Sequence, residues 1–269
     1  MLTWLNTAWD FKAAPPEVAL FPLACFEPHG PHLPVGSDGI LMSAIARRVA
    51  ERLRARTFLL PTWPLGTSGH HARQPGVVYL NFETLWAVVR DVVTALVEHG
   101  IPRVVVLNNH GAALTTTTRP LGNFIVKTAV RQLNYEVPGL TAIWVQPFAA
   151  AREALCALFP SACEEVHAGA VETSLLMHLA PEQVRPLPPD NVPAFSPAYL
   201  DFTPFHNLAP GGVWGRPSQA SAEKGAQALE AIVEATVAYI ERTFAQIAPL
   251  KERTATHAAP EQQGEESGA

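Results

Sequence analysis

A short stretch near the start of the chain, residues 25–38, contains four side chains that commonly bind metal ions. They are Glu27, His29, His32 and Asp38, and this mixture of carboxylates and imidazoles suits zinc or manganese. Prolines and glycines lie between them, so the backbone is stiff and can hold ligands in place. The stretch predicts part of a metal site. The alternative is a surface loop in which Asp38 caps the next helix and the histidines have no function.

A histidine far along the chain is expected to join this stretch. Residues 103–107 are a mostly β-branched run, which is typical of a strand buried on both faces of a parallel sheet, and His110 follows. Ligands gather at the carboxyl ends of parallel strands. His110 and the Glu27 loop should therefore share one edge of the sheet if their strands run parallel. The alternative is a turn residue that bonds only its own loop.

Glu172 is a carboxylate at helical spacing with Leu175, Leu176 and Leu179. Burying it without a partner would cost several kcal/mol, so it should contact a cation. A metal ion or an arginine would serve equally well.

A polar loop at residues 66–76 carries Ser68 and the paired histidines His70 and His71 among several glycines. These residue types disfavour regular structure, and the loop could line a pocket. A serine nucleophile is not expected, because His70 stands where the second glycine of a G-x-S-x-G turn belongs.

Composition narrows the class of protein. The chain has 269 residues, 48% of them hydrophobic, so a single domain with a sizeable core is feasible. Its net charge is -5, and its 19 Lys and Arg residues form no long basic run, which argues against nucleic acid as a partner. The start lacks signal-peptide features, and no apolar stretch of about 18 residues follows. We therefore expect a cytoplasmic protein without a membrane segment.

The cysteines, Cys25, Cys156 and Cys163, form no CxxC pair. Their odd number and spacing predict neither a disulfide nor a cysteine-bound zinc. We expect all of them to be small buried apolar residues, with no thiolate among the ligands of residues 25–38.

Strand and helix patterns alternate along the chain, which predicts a single α/β domain over residues 1–250. Buried strands are expected at 18–24, 57–61, 103–107 and 140–145. Apolar residues at helical spacing predict helices at 40–54, 82–100, 147–158 and 221–248. Ser37 or Asp38 should cap the first of these helices. Residues 251–269 have almost no apolar side chains larger than alanine, so a disordered tail is expected.

Residues 186–217 are rich in proline yet carry several aromatic side chains, namely Phe195, Tyr199, Phe202, Phe205 and Trp214. Aromatic residues in irregular segments need a surface to cover them, and protein interfaces favour them. We expect part of this segment to meet a neighbouring subunit. The alternative is that it wraps its own domain and closes over the rim of the site.

Together these segments resemble the creatininase family, also called the creatinine amidohydrolases. The resemblance runs from about residue 20 to 245 and rests on motifs in the family's order. The matching segments are Glu27-Pro28-His29-Gly30-Pro31-His32-Leu33-Pro34, Ser68 and His71 with Pro75-Gly76, Asn108-Asn109-His110-Gly111, His167-Ala168-Gly169 with Glu172-Thr173-Ser174, and Gly212-Val213-Trp214-Gly215 with Ala222-Glu223-Lys224-Gly225.

The resemblance implies a three-layer α/β/α domain with a mostly parallel sheet, commonly assembled as a homohexamer. It also implies an amidohydrolase with two divalent ions per chain, zinc, manganese or iron, which cleaves a C–N bond of a small cyclic amide or formamide with a metal-bound hydroxide. The implied metal ligands are Glu27, His29, Asp38, His110 and Glu172, with Asp38 bridging. His167, together with Glu172, would be catalytic, with His167 in proton transfer. His32, Ser68 and His71 would be candidates for the substrate pocket.

The chain departs from the family pattern at several positions. Ala112 replaces a glutamate of creatininase itself, Ala112-Ala113 replaces the Gly-Asn of other relatives, Cys163 replaces a tryptophan, and Ala170 replaces an acid. We therefore do not expect creatinine to be a good substrate. An alternative from a different class is a non-catalytic metal-binding relative that has kept the fold and lost the reaction.

Overall fold

The computed structural model describes residues 1–108, 110 and 121–257. Ala112 and Ala113 lie outside these residues, as does the predicted tail beyond residue 257.

The centre of the protein is a five-stranded sheet in which every pair of neighbouring strands is parallel. The strands, in the order β1-β3-β2-β4-β5 across the sheet, are β1 (Leu2–Thr3), β2 (Val18–Leu23), β3 (Thr57–Leu59), β4 (Arg103–Asn108) and β5 (Thr141–Val145). Since β2 and β4 are paired with Leu23 opposite Asn108, both strands end at the same edge of the sheet. This confirms the predicted parallel arrangement.

Helices cover both faces of the sheet. In chain order they are α1 (Ala8–Ala13), α2 (Ser37–Arg52), α3 (Phe82–Glu98), α4 (Leu121–Glu136), α5 (Pro147–Ala150), α6 (Arg152–Leu158), α7 (Ala170–Leu179), α8 (Phe205–Leu208) and α9 (Ala222–His257). Helices α2, α5, α6, α7 and α9 pack on one face, and α3 and α4 pack on the other. The fold is therefore the expected three-layer α/β/α domain. Among the described residues, no helix combines the length and apolar composition needed to span a membrane.

Strand β2 shows why its sequence is apolar throughout. Val18 and Leu20 face the α2–α7–α9 layer, while Ala19 and Phe21 face α3 and α4. Alternate side chains of a strand point to opposite faces, so both sets are buried. Pro22 lies in this central strand but next to its end, where its missing N–H interrupts little of the ladder.

Helices α7 and α9 approach each other very closely at Gly225. A Cβ atom added there would overlap the carbonyl group of Ser174. Glycine is therefore required at this crossing, which holds the helix that carries Glu172 against the long C-terminal helix.

Several local predictions are wrong. Helix α2 begins after Gly36, and neither Ser37 nor Asp38 caps it with its side chain. The hydroxyl of Ser37 instead donates to the Pro34 carbonyl oxygen, and Asp38 turns toward the candidate site. The single helix expected at 147–158 is divided at Ala151 into α5 and α6. Helix α9 continues to His257, beyond the helix end expected at residue 248.

The expectation of unpaired cysteines is also wrong for two of them. Cys156 and Cys163 are joined in a disulfide, with their Cα atoms 6.1 Å apart. Helix α6 ends at Leu158 and the chain turns back through a short 3-10 helix, Pro160–Cys163, which brings the two residues together. That Cα separation is normal for a disulfide.

Candidate metal centre

The loop after β2 places Glu27 and His29 in the protein interior, where they are 3% and 0% exposed. The Nδ1 atom of His29 lies 3.0 Å from the Glu27 carbonyl oxygen. Because a carbonyl oxygen can only accept, Nδ1 carries the proton and donates it. The Nε2 atom of a neutral His29 is therefore unprotonated and can bind a metal, an arrangement common in metal-binding histidines.

Asp38 lies in the first turn of α2 and points its carboxylate between two imidazoles. Its Oδ1 atom is 3.5 Å from His29 Nε2, and its Oδ2 atom is 3.5 Å from His110 Nδ1. A carboxylate with one oxygen directed to each side can bridge two cations. The structure thus explains why Asp38 does not cap the helix.

His110 comes from the neighbouring strand β4. Its Nε2 atom donates to the Thr67 carbonyl oxygen at 3.3 Å, which leaves Nδ1 free to face the site. Nδ1 lies 3.0 Å from Glu27 Oε2. The ring is not oriented for a hydrogen bond to that oxygen, so both atoms remain without a hydrogen-bond partner. The prediction that His110 and the Glu27 loop share one edge of the sheet is confirmed by the β2–β4 pairing.

Glu172 enters the site from the first turn of α7. Its Oε2 atom accepts the N–H of Ala168 at 2.6 Å, and its Oε1 atom lies 3.9 Å from His29 Nε2. Ala168 has a φ of 52°, in the left-handed region that non-glycine residues rarely occupy. This conformation turns the Ala168 N–H back toward the carboxylate and so fixes the direction of Glu172.

Ligand atoms of the described residues form four groups, each with its atoms within 4.8 Å of one another. Two of them are Glu27 with His70 and His71, and Glu27 with His29 and His167. The other two, the first and second ligand groups, share Asp38. The first contains Cys25, Glu27, Asp38 and His110, and the second contains His29, Asp38 and Glu172. This arrangement fits two divalent cations with Asp38 between them.

Buried polar atoms without partners support this fit. Glu27 Oε2, His29 Nε2, Asp38 Oδ2 and His110 Nδ1 are buried and make no hydrogen bond. Such atoms are rare in folded proteins, since an unsatisfied buried polar group is costly. All of these atoms face the two groups, where cations would satisfy them together.

The electrostatics of the site also favour cations. Burial disfavours the charged form of His29, but the Asp38 carboxylate 3.5 Å away, together with Glu172 and Glu27, outweighs this effect and raises the pKa of His29 to about 10. For His110, burial is likewise outweighed by Cys25, Glu27 and Asp38, so its pKa is raised well above the usual value. The negative potential that holds protons on these imidazoles would also attract metal ions.

His167 lies beside the two groups, with its ring centroid 4.3 Å from that of His29. Its Nε2 atom donates to the Pro28 carbonyl oxygen at 2.6 Å, and its Nδ1 atom lies 3.8 Å from Glu27 Oε1. Burial and the neighbouring His29 lower the pKa of His167. A neutral His167 therefore presents an unprotonated Nδ1 to the site.

The loop at residues 66–76 forms a second wall of the site. His71 Nε2 lies 3.8 Å from Glu27 Oε1, and burial lowers the pKa of His71 to about 2. His70 stacks on His110 with ring centroids 5.4 Å apart. Ser68, which belongs to the same loop, is buried, and its hydroxyl has no hydrogen-bond partner.

His32 is not brought into either ligand group. It is fully buried, and its Nε2 atom lies 2.9 Å from the Thr173 hydroxyl of α7. Within the described part of the chain its contact joins the ligand loop to α7. This contact gives His32 a structural role, whereas the resemblance made it a candidate for the substrate pocket.

Two neighbours of the ligands were missed by the sequence analysis. Phe205 packs against His71 and His167, with ring centroids 4.8 and 5.0 Å apart. Cys25 belongs to the first ligand group, so its thiol lies much closer to the proposed ligands than the sequence analysis expected. A signal existed, because Cys25 and Glu27 are two residues apart after a strand, a spacing that puts side chains on one side of an extended chain.

The aromatic segment at residues 186–217 divides into two parts. Phe205 and Trp214 are 2% and 1% exposed and pack inside their own domain. Phe195, Tyr199 and Phe202 remain at least half exposed, at 52%, 50% and 84%. The alternative that the segment closes over the rim of the site thus describes Phe205. The subunit contact stays a prediction, and it now concerns the three exposed side chains.

Comparison with known proteins identifies the same family as the motifs. The family profile named Creatininase, with the description creatinine amidohydrolase, matches residues 2–240. A mycofactocin precursor peptide peptidase of Mycobacterium ulcerans is 31% identical over 243 residues, which cover 83% of this chain and 84% of the relative. A creatinine amidohydrolase of Pseudomonas putida is 30% identical over 263 residues, which cover 90% of this chain and 95% of the relative.

A solved structure of creatininase, described with manganese, has the same fold. It superimposes on 90% of this chain and 98% of its own chain with a TM-score of 0.67, and the two sequences are 25% identical. The named relatives are hydrolases, one acting on creatinine and one on a peptide. Since the family profile covers nearly all of the domain, the chain belongs to the creatininase family of hydrolases.

Proposed function

We propose that this protein is a metal-dependent amidohydrolase that uses two divalent cations to cleave a C–N bond of a small cyclic amide or formamide. The observation that carries the proposal is the pair of buried ligand groups that share Asp38 and whose facing atoms have no hydrogen-bond partner. Zinc, manganese and iron all accept this mixture of carboxylates and imidazoles.

The proposed ligands divide between two positions. Glu27, Asp38 and His110 would hold the first cation, and His29, Asp38 and Glu172 the second. When bound, such cations polarise a carbonyl group and lower the pKa of water from 15.7 toward about 7.

His167 is the proposed proton carrier. Its unprotonated Nδ1 faces Glu27 and the ligand groups, while its Nε2–H is held by the Pro28 carbonyl. Nδ1 can therefore accept a proton from the attacking water and return it to the departing nitrogen. His167 acts as a base before it acts as an acid, a refinement of the proton-donor role implied by the resemblance.

Creatinine is not the proposed substrate. The tryptophan that faces it in creatininase is replaced here by Cys163, which is tied to Cys156 in a disulfide. The aromatic ring that does border the site is Phe205, which comes from a different segment. A peptide C–N bond is a second candidate substrate, because the peptidase relative is as similar to this chain as the creatinine amidohydrolase is.

The test is a hydrolysis screen of metal-reconstituted protein against lactams and other cyclic amides, N-formyl compounds, short peptides and creatinine. We expect turnover of a cyclic amide or formamide that disappears after chelation and returns with metal. Turnover restricted to peptides would favour the second candidate. Two bound metals without hydrolysis of any substrate would support the non-catalytic alternative.

Assembly and location remain proposals. Phe195, Tyr199 and Phe202 offer an exposed aromatic surface suited to a homo-oligomer, and the family expectation is a hexamer. Light scattering would refute this if it gave only a 29.0 kDa monomer. A cytoplasmic location would make the Cys156–Cys163 disulfide unusual, because disulfides persist mainly in oxidising compartments. Fractionation of cells with thiol labelling would test the two together.

A further inference from the structure

Cys25 is the only member of the two ligand groups whose side chain is neither a carboxylate nor an imidazole. It is 2% exposed and lies just after β2. Its Sγ atom is within 4.8 Å of ligand atoms from Glu27, Asp38 and His110, which themselves come from three separate segments. A thiol placed for packing alone has no reason to meet three metal-binding groups at once.

The surroundings of the thiol fix its position. Sγ lies against Gly66, so closely that an added Cβ at Gly66 would overlap it. Sγ is also within 4.8 Å of a ligand atom from each of Glu27, Asp38 and His110, and Glu27 Oε2, Asp38 Oδ2 and His110 Nδ1 are buried without hydrogen-bond partners. The sulfur therefore borders the same small space as three unsatisfied ligand atoms.

We propose that Cys25 is a fourth protein ligand of the first cation, bound as a thiolate after its proton is released to solvent. The first position then has one sulfur, one nitrogen and two carboxylate oxygens. Four protein ligands are typical of closed zinc sites, whereas three protein ligands leave a place for water. The second position, with His29, Asp38 and Glu172, is then the one open to water and substrate.

This division places the reaction beside His167. The His167 ring lies 4.3 Å from the His29 ring, and His29 belongs to the second position. The first cation would mainly organise Asp38 and Glu27. The thiolate also changes metal preference at the first position, because soft sulfur ligands favour zinc over manganese.

The inference rests on the proposed metal binding but not on the proposed hydrolysis. X-ray absorption of the unaltered protein with one and with two equivalents of zinc tests it directly. We expect a single sulfur scatterer at about 2.3 Å from zinc, the usual Zn–S distance. Bound zinc with only nitrogen and oxygen neighbours at both loadings would overturn the inference and leave the proposed function intact. Failure to bind zinc, manganese or iron would overturn both.

Variants give a second, independent readout. Cys25→Ser should remove the sulfur scatterer and lower the zinc affinity of the first position by at least about 10-fold. Loss of an outer-sphere partner already lowers metal affinity by about 10-fold or more, and a direct ligand should matter at least as much. Manganese affinity should fall less, so the zinc preference in a competition titration should decrease. The double variant Cys156→Ser/Cys163→Ser is the control and should keep the sulfur scatterer. Equal zinc affinity in Cys25→Ser and the unaltered protein would contradict the assignment.

Discussion

Replacing Asp38 with asparagine tests whether one carboxylate serves both metal positions. Asp38 is 7% exposed, and its two oxygens lie 3.5 Å from His29 and from His110. Asparagine keeps the volume but removes the negative charge and replaces one oxygen with an N–H donor. Both positions should therefore lose affinity, although only one residue has changed.

The magnitude follows from what the side chain contacts. Removing an outer-sphere partner of a ligand costs about 10–100-fold in metal affinity. Asp38 is proposed as a direct ligand at two positions, so we expect at least about 100-fold at each, or about 2.7 kcal/mol per ion. Hydrolysis should fall together with metal content.

A matched control is available in Glu165, another buried carboxylate at 6% exposure. Its oxygens accept hydrogen bonds from the Ala170 and Arg216 N–H groups, both at 2.9 Å, and from the Ser161 hydroxyl at 3.1 Å. Glu165→Gln turns an amide N–H₂ toward these donors and should cost about 1–3 kcal/mol of unfolding free energy. It should leave metal content unchanged.

The two variants are compared by elemental analysis after reconstitution, by metal titration and by urea unfolding in chelator. Asp38→Asn should lose metal and stay folded, and Glu165→Gln should keep metal and lose stability. If Asp38→Asn retained two tightly bound ions, Asp38 would not bridge them. If both variants lost metal equally, the effect would reflect general loosening of the fold.

Three further predictions concern stability and the pocket. The carboxylates raise the pKa of His29 from 6.5 to about 10, so protonated His29 stabilises the metal-free fold at low pH. Urea unfolding of the metal-free protein should show this stabilisation decreasing as pH rises from 6.5 to about 10, and bound zinc should abolish the decrease. The same pH dependence with and without zinc would contradict this prediction. Gly225→Ala should lower the free energy of unfolding by about 1–3 kcal/mol or more, because the added Cβ overlaps the Ser174 carbonyl group. Unchanged stability would show that helices α7 and α9 can move apart at this position. Phe205→Ala should cost about 3–5 kcal/mol of unfolding free energy and reduce kcat/KM, while Phe124→Ala on α4, where the side chain is 63% exposed, should change neither. An unchanged kcat/KM in Phe205→Ala would show that Phe205 does not border the site.

Sequence reasoning identified most of the proposed ligands because they follow recognisable elements. The apolar run before Glu27 and the β-branched run before His110 both indicated buried strands, and parallel strands bring their ends together. Glu172 was suggested by a carboxylate on an apolar helix stripe. The sequence could not show whether Glu172 faces an arginine or a metal site, because the answer depends on His29 and Asp38, which are distant in sequence but close to Glu172 in the fold.

The errors have a common physical origin. Asp38 at a helix start satisfies the local rule for capping, but its tertiary contacts with two imidazoles determine its conformation. Cys25 looks like an ordinary buried residue until Glu27 and His110 are placed around it. Phe205 was grouped with the aromatic residues expected at a subunit contact because its segment is irregular. In each case the deciding contact joins residues distant in sequence.

Ala168 shows how the site is held in its working geometry. A left-handed conformation costs an alanine roughly 1–2 kcal/mol, and its φ of 52° persists because the flanking backbone is fixed on both sides. The His167 N–H and carbonyl pair with Trp214 at 3.1 and 2.9 Å, and the Ala168 N–H binds Glu172. One strained residue thus orients both the proposed proton carrier and a ligand of the second position. Backbone strain of this kind is concentrated at functional sites, and here it lies between His167 and Glu172, the proposed proton carrier and a proposed ligand of the second position.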